Sequence, residues 1–270
     1  MTSTLQLHSG DGRATVAVDV ANGGRVSSLR IDGVEFLVGS GTGSGPLSWG
    51  LYPMVPFAGR LRNGHVSFEG REVQLPLTNG PHAIHGYGFT NPWTRLSETE
   101  IRYELHHPWP WKGDVIQRFE LRESSLTLVI QVNAVDRQPF QLGWHPWFNR
   151  TVSTGEEATL KFEAQSMFAR DTAGIPSGHL TTPSAGPWDD CFTDIRSGPT
   201  LRWGDLVLQL SSTAHQWTIF DKPEHALCIE PQTGPPNALN DDPEVLECGE
   251  SRQETFTIQW SRHCVEGAQV

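Results

Sequence analysis

Residues 115–135 read "VIQRFELRESSLTLVIQVNAV". In the second half of this stretch Leu126, Leu128, Ile130, Val132 and Ala134 fall on alternate positions, with Thr127, Gln131 and Asn133 between them. A period of two is the signature of a strand with one face buried. "RESS" (122–125) then reads as a turn between two alternating strands. The same grammar extends to both sides. "TLQLHS", "ATVAVDVA", "GRVSSLRI" and "VEFLVG" occupy the first forty residues, punctuated by "GDGR", "ANGG" and "IDG". "GHVSFEGREVQLPL" (64–77) repeats it around a Glu69-Gly70 turn, and "TLRWGDLVLQLSS" (200–212) and "QETFTIQW" (253–260) close the series. No helical periodicity persists over three turns, and 19 Pro and 27 Gly suit many turns and few helices. The expected fold is all-β: one large antiparallel sandwich or barrel spanning residues 1–270, without linker or internal repeat. The stretch 170–190, "RDTAGIPSGHLTTPSAGPWDD", is expected to be a long loop over a surface.

The bulk composition narrows the function. With 37% hydrophobic and 19% charged residues, the chain is neither disordered nor membrane-embedded. A net charge of −11 opposes phosphate-backbone binding and docking on anionic lipid, so neither nucleic acid nor a membrane is an expected partner. The polar start "MTSTLQLHSGDGR" has no signal-peptide pattern, and a cytoplasmic location is expected. Cys191, Cys228, Cys248 and Cys264 form no C-x-x-C pair and read as buried or idle thiols. Ten Trp residues are an unusual number. Most would fill a β core, but a flat apolar face with one N–H donor also suits the C–H face of a sugar ring.

Four clusters put titratable side chains where strands give way to loops. "PMVPFAGRLRNG" (53–64) carries Arg60 and Arg62, either a solvated basic loop or guanidinium groups for sugar hydroxyls. "NGPHAIHGYG" (79–88) carries His82 and His85, a spacing open to metal ligation but without an H-E-x-x-H or a Cys cluster to complete a site. "PFQLGWHPWFNR" (139–150) sets His145 among Trp144, Pro146 and Trp147, where an imidazole is either a core residue or a general acid. "HALCIEPQTGPPNALN" (225–240) delivers Glu230 after a short apolar run and before a proline-laden loop, and "GPWDDCFTD" adds Asp189 and Asp190. No G-x-S-x-G, P-loop or dinucleotide motif is present, so the residues point to proton chemistry.

Taken in order, "AIHGYGFTNPW", "GWHPWF", "DDCFT" and "IEPQTGPPNALN" resemble the motifs of the aldose 1-epimerase (galactose mutarotase-like) family, over nearly the whole chain. The resemblance implies a large antiparallel β-sandwich with the site in a concave cleft. It implies Glu230 as general base, His145 as general acid and His85 as an assisting group near the sugar ring oxygen. Arg60, Asp190, Gln216, His82 and Trp147 are the implied sugar-binding residues. The implied reaction interconverts α and β anomers of a free aldose and requires no metal or other cofactor. The expected assembly is a monomer or homodimer. A non-catalytic sugar sensor and an epimerase for a hexose 6-phosphate are the alternatives. One departure stands out: Gly59 precedes Arg60 where the family often has asparagine. Glu230 is expected at the cleft lip, just past the apolar run, with a modestly raised pKa.

Overall fold

The structure is a computed structural model that describes residues 4–42 and 45–262. Cys264 lies outside the described residues. The alternation in 115–135 becomes the hairpin Gly113–Arg122 and Ser125–Ala134, with Arg122 paired to Ser125 across the turn. Leu126, Leu128, Ile130 and Val132 are completely buried, as the period of two requires. The Glu69-Gly70 turn also forms, joining His65–Phe68 to Arg71–Gln74.

The main sheet is antiparallel and folds into two layers. One layer runs Thr94–Arg95, Glu100–Leu105, Gly113–Arg122, Ser125–Ala134, Ser251–Arg262 and Leu206–Ser212. The other runs Thr4–His8, Ala14–Asp19, Arg25–Ile31, Leu51–Met54, Gly143–Asn149, Ala226–Gln232 and Gln216–Phe220. The long strand Asp189–Trp203 joins them. Its first residues pair with Gln216–Phe220 and its last with Leu206–Ser212. Its other edge carries Thr159–Arg170. The core between the layers contains Trp144, Phe148, Phe192, Trp203, Trp217, Ile219, Leu227 and Ile229. Among the described residues the one α-helix is the single turn Ala238–Asp241, and no helix is long and apolar enough to cross a membrane.

Two local expectations are corrected. The stretch 170–190 is not all loop: Pro176–Thr181 is a strand that returns along Thr159–Arg170. Glu230 is not past the end of its strand, because Ala226–Gln232 continues through Pro231 and Gln232. Proline removes a backbone donor, and the ladder to Gly143–Asn149 is interrupted between Gln232 and Cys228, beside Pro231 and Pro146.

Candidate active site

Register decides which side chains see the cleft. Successive residues of a strand face opposite sides, and the alternation places Leu227 and Ile229 in the core and leaves Cys228, Glu230 and Gln232 on the other face. Glu230 pairs with Thr218, Thr218 with Cys191, and His145 with Tyr52. The pairs Gly143–Gln232 and Trp147–Cys228 on either side bring His145 alongside Glu230. One row across five adjacent strands therefore carries Cys191, Thr218, Glu230, His145 and Tyr52. Thr218, Glu230, His145 and Tyr52 line a cleft with Arg60, His85, Trp147, Asp189, Gly59 and Pro236. Its cavity volume is about 180 Å³, below the ~300 Å³ at which drug-sized sites begin. The space suits one small ring.

His145 Nε2 lies 3.1 Å from Glu230 Oε1, and both side chains are almost fully buried. The imidazole is clamped by faces. Tyr52 stacks on one side at 4.8 Å between centroids, and Trp147 stacks at 5.3 Å with the planes 13° apart. His145 Nδ1 has no hydrogen-bond partner among the described residues, so stacking and Glu230 orient this ring. Burial pushes the Glu230 carboxyl well above its ordinary range, and nearby Asp189 adds to the rise while Arg60 opposes it. Burial brings the His145 imidazole down to about 3. The expected rise for Glu230 was modest; its place on the cleft floor, beyond water, makes it larger. Burial thus favours the neutral form of both groups.

His85 stands edge-on to His145 at 5.0 Å. Its Nδ1 accepts a hydrogen bond from the Gly59 N–H at 3.2 Å, and the His85 backbone N–H donates to the Gly59 carbonyl at 3.1 Å. Burial, with His145 and Arg60 adding to it, holds its pKa well below the ordinary value. A neutral imidazole with Nδ1 accepting carries its proton on Nε2. His85 is thus a hydrogen-bond donor through Nε2. Gly86 explains why glycine follows it: at φ +68° a Cβ would lie 2.0 Å from the Val55 carbonyl oxygen. Gly59 is similarly constrained. Its φ is +68°, and a Cβ would meet Pro236 at 2.9–3.0 Å. Pro236 thus occupies the space that an asparagine side chain at position 59 would enter.

The structure brings Glu230, His145, His85, Arg60 and Trp147 to the cleft and places the other three elsewhere. Asp189, not Asp190, is on the cleft wall; these neighbours face opposite sides of one strand. Asp190 is buried against Arg170, 2.7 Å away. Gln216 lines a separate cavity with Gln141, Phe168 and Glu244. His82 is enclosed by loops: Nδ1 accepts from the Asn63 N–H at 3.1 Å, and Nε2 lies 3.3 Å from the Ala173 carbonyl. With both ring nitrogens in use, His82 and His85 do not form the metal pair that their spacing left open. The sequence reading passed over Tyr52, Thr218 and Pro236. Thr218 was findable by counting two residues along its strand from Gln216, whereas no recognised residue shares the strand Leu51–Met54 with Tyr52.

The charged groups at the cleft are internally paired, whereas His145 Nδ1, Trp147 Nε1 and Thr218 Oγ1 have no hydrogen-bond partner among the described residues. Arg60 Nη2 binds Asp189 Oδ2 at 3.1 Å, Arg170 lies 3.6 Å from the same oxygen, and Arg62 binds Asp171 at 2.7 Å. His85, His145 and Glu230 could present three ligand atoms to a cation, all within 4.8 Å of one another. The hydrogen bond from Gly59 argues against that use, because it leaves the Nε2 that a metal would need protonated.

The fold and the buried His–Glu contact on a concave sheet define the galactose mutarotase-like class of β-sandwich. The chain belongs to the aldose 1-epimerase family, whose model matches residues 5–270. It is 22% identical over 294 residues to the uncharacterized protein YihR of Escherichia coli strain K12, covering 96% of this chain and 94% of YihR. Over 115 residues it is 31% identical to the uncharacterized protein YphB of the same organism, a match spanning 40% of this chain and 39% of YphB. A galactose mutarotase-like protein from Clostridium acetobutylicum shares the fold with a TM-score of 0.82 at 17% identity, covering 96% of this chain and 95% of that one.

Proposed function

We propose that the protein is an aldose 1-epimerase acting on a free, uncharged aldose. The observation that carries this reading is the 3.1 Å contact between His145 and Glu230 on the cleft floor. Mutarotation moves two protons on oxygens that share one carbon, the C1 hydroxyl and the ring oxygen, so its base and acid must be neighbours. For this the shared proton must first pass from the Glu230 carboxyl to His145 Nε2, against the preference that burial gives each group. Glu230 takes the proton of the C1 hydroxyl while His145 gives its Nε2 proton to the ring oxygen, and the C1–ring oxygen bond breaks. The open aldehyde turns about C1–C2, and closure on the other face reverses both transfers. The Glu230–His145 pair ends the opening step with the same one proton, now on the carboxyl. His85 offers an Nε2–H to a sugar oxygen. Trp147 offers an apolar face, and Arg60 with Asp189 offers hydrogen bonds to hydroxyls.

Three alternatives fare less well. Glycoside hydrolysis uses two carboxyl groups on opposite sides of the scissile bond, roughly 5–9.5 Å apart. Here the catalytic neighbour of Glu230 is an imidazole, and Asp189 is held by two arginines. A phosphosugar would need free cationic groups, but Arg60, Arg62 and Arg170 each contact an aspartate. A pure sugar binder has no use for a buried acid–base pair, whose desolvation opposes folding.

Polarimetry on freshly dissolved α-glucose or α-galactose tests the reading. The wild type should hasten the approach to anomeric equilibrium. Glu230→Gln should lower that rate by about 10² or more, the scale of one positioned proton-transfer group, while sugar binding survives. A wild-type rate in the variant would remove Glu230 as the base.

A further inference from the structure

Of the row that carries Glu230 and His145, the proposed reaction uses neither Cys191 nor Thr218, and of these two Thr218 lines the cleft. It is the direct cross-strand partner of Glu230 on one side and of Cys191 on the other. It lines the cleft, yet its Oγ1 is shielded from solvent and has no hydrogen-bond partner among the described residues. Its side-chain neighbour on the next strand is the Cys191 thiol, a weak hydrogen-bonding partner. The Cys191 sulfur accepts from Gln232 Nε2 at 3.4 Å, and Glu230 is engaged by His145. An unpaired buried hydroxyl costs about 1–3 kcal/mol. Valine has nearly the same shape and would avoid that cost, so a threonine here is understandable if a ligand supplies the partner.

We propose that Thr218 reads the C2 hydroxyl of the aldose and is a specificity-determining residue. This rests on the mutarotase reading, which puts C1 at the His145–Glu230 contact. Directly opposed residues of an antiparallel pair have Cβ atoms about 4.5–5.5 Å apart. A side chain one strand over from Glu230 therefore meets the sugar one carbon from C1. Having both a donor and two acceptor lone pairs, the threonine hydroxyl can pair with a sugar hydroxyl in either orientation. It contributes to recognition of the ring and takes no part in the proton transfers.

The test compares an aldose with its 2-deoxy analogue, glucose with 2-deoxyglucose and galactose with 2-deoxygalactose. Both turnover and equilibrium binding are measured for wild type, Thr218→Val and Thr218→Ser. The wild type should favour the parent sugar by about 3–10-fold, the scale of one net hydrogen bond. Thr218→Val should erase that preference, and Thr218→Ser, which restores a hydroxyl, should recover it. A Thr218→Val protein that keeps the wild-type preference overturns the proposal. So does one that weakens parent and deoxy sugar equally. The binding arm keeps this judgement separate from the reaction: a wild type that binds the sugars with the expected preference but turns over neither refutes the mutarotase reading alone.

Discussion

At the scale of single residues, the unusual feature is a carboxyl and an imidazole that burial drives in opposite directions. In the unfolded chain Glu230 would ionise near 4.5 and His145 near 6.5. In the folded protein the first is raised and the second falls to about 3. The sign of each follows from proton counting. A raised carboxyl stabilises most below its unfolded value, and that contribution is lost as pH rises toward its folded value. The depressed imidazole acts oppositely, its contribution being lost as pH falls from about 6.5 toward about 3. As pH rises beyond the unfolded value of Glu230, about 4.5, the folded state holds on to a carboxyl proton that the unfolded chain releases. Glu230→Gln removes this penalty, which grows by up to about 1.4 kcal/mol per pH unit. The variant is therefore expected to gain thermal stability over wild type at pH 8 by clearly more than at pH 5, while losing turnover. Melting curves at the two pH values check this; an equal shift at both would contradict the raised carboxyl. Such a gain is the usual consequence of removing a strained catalytic group.

At the scale of elements, the loop Thr233–Asn237 and the turn at Gly59 behave as one piece. Gly59 gives its N–H to His85 Nδ1, and Pro236 fills the space that a Cβ at position 59 would need. Asparagine tolerates a positive φ better than most residues, so the backbone angle alone would make Gly59→Asn mild. The Pro236 contact makes it severe, with an expected loss of about 1–3 kcal/mol. Pro236→Gly in the same chain should return part of it, giving a coupling energy of about 0.5 kcal/mol or more in a double-mutant cycle by urea unfolding. Additive losses would show that the two elements do not press on each other. The same junction shows the limits of reading the sequence. The alternation in 115–135 revealed the sandwich because its period is local, and the motifs around His85, His145 and Glu230 marked the cleft. The departure at Gly59 was visible, but its cause was not, since Pro236 is remote in sequence and adjacent only in space. The choice between Asp189 and Asp190, which the sequence reading resolved toward Asp190, failed for another reason. It depends on strand parity, and nothing within "GPWDDCFTD" says which residue begins the pleat.

At the scale of the whole molecule, the cleft is built on a layer whose far side is the inter-layer core, so its floor is fixed by that packing. Beneath the cleft a second apolar group, including Val38, Tyr52, Met54, Phe89 and Trp147, surrounds the catalytic row. What ties its loops together is Arg25, which is fully buried without a carboxylate partner among the described residues. Its guanidinium donates to four carbonyls, those of Asn22 at 2.8 Å, Pro46 at 2.8 Å, Trp49 at 2.9 Å and Phe89 at 2.8 Å. Its cation lies 4.1 Å from the Trp49 ring centroid and 5.1 Å from that of Tyr52, the ring that stacks on His145. One planar, five-donor group thus joins three distant segments and supports the ring clamp on His145. Lysine keeps the charge but offers three donors from a single nitrogen, and it cannot reach all four acceptors. With one or two carbonyls left unpaired at about 1–3 kcal/mol each, Arg25→Lys should cost about 2–5 kcal/mol. At roughly 2–4 °C per kcal/mol for a chain of this size, the melting temperature should fall by about 5–15 °C. Because Tyr52 loses its support, kcat should fall more than the affinity for sugar changes. A variant that melts within about 2 °C of wild type would show that the four carbonyls find other donors, and that Arg25 does not hold the loops beneath the cleft.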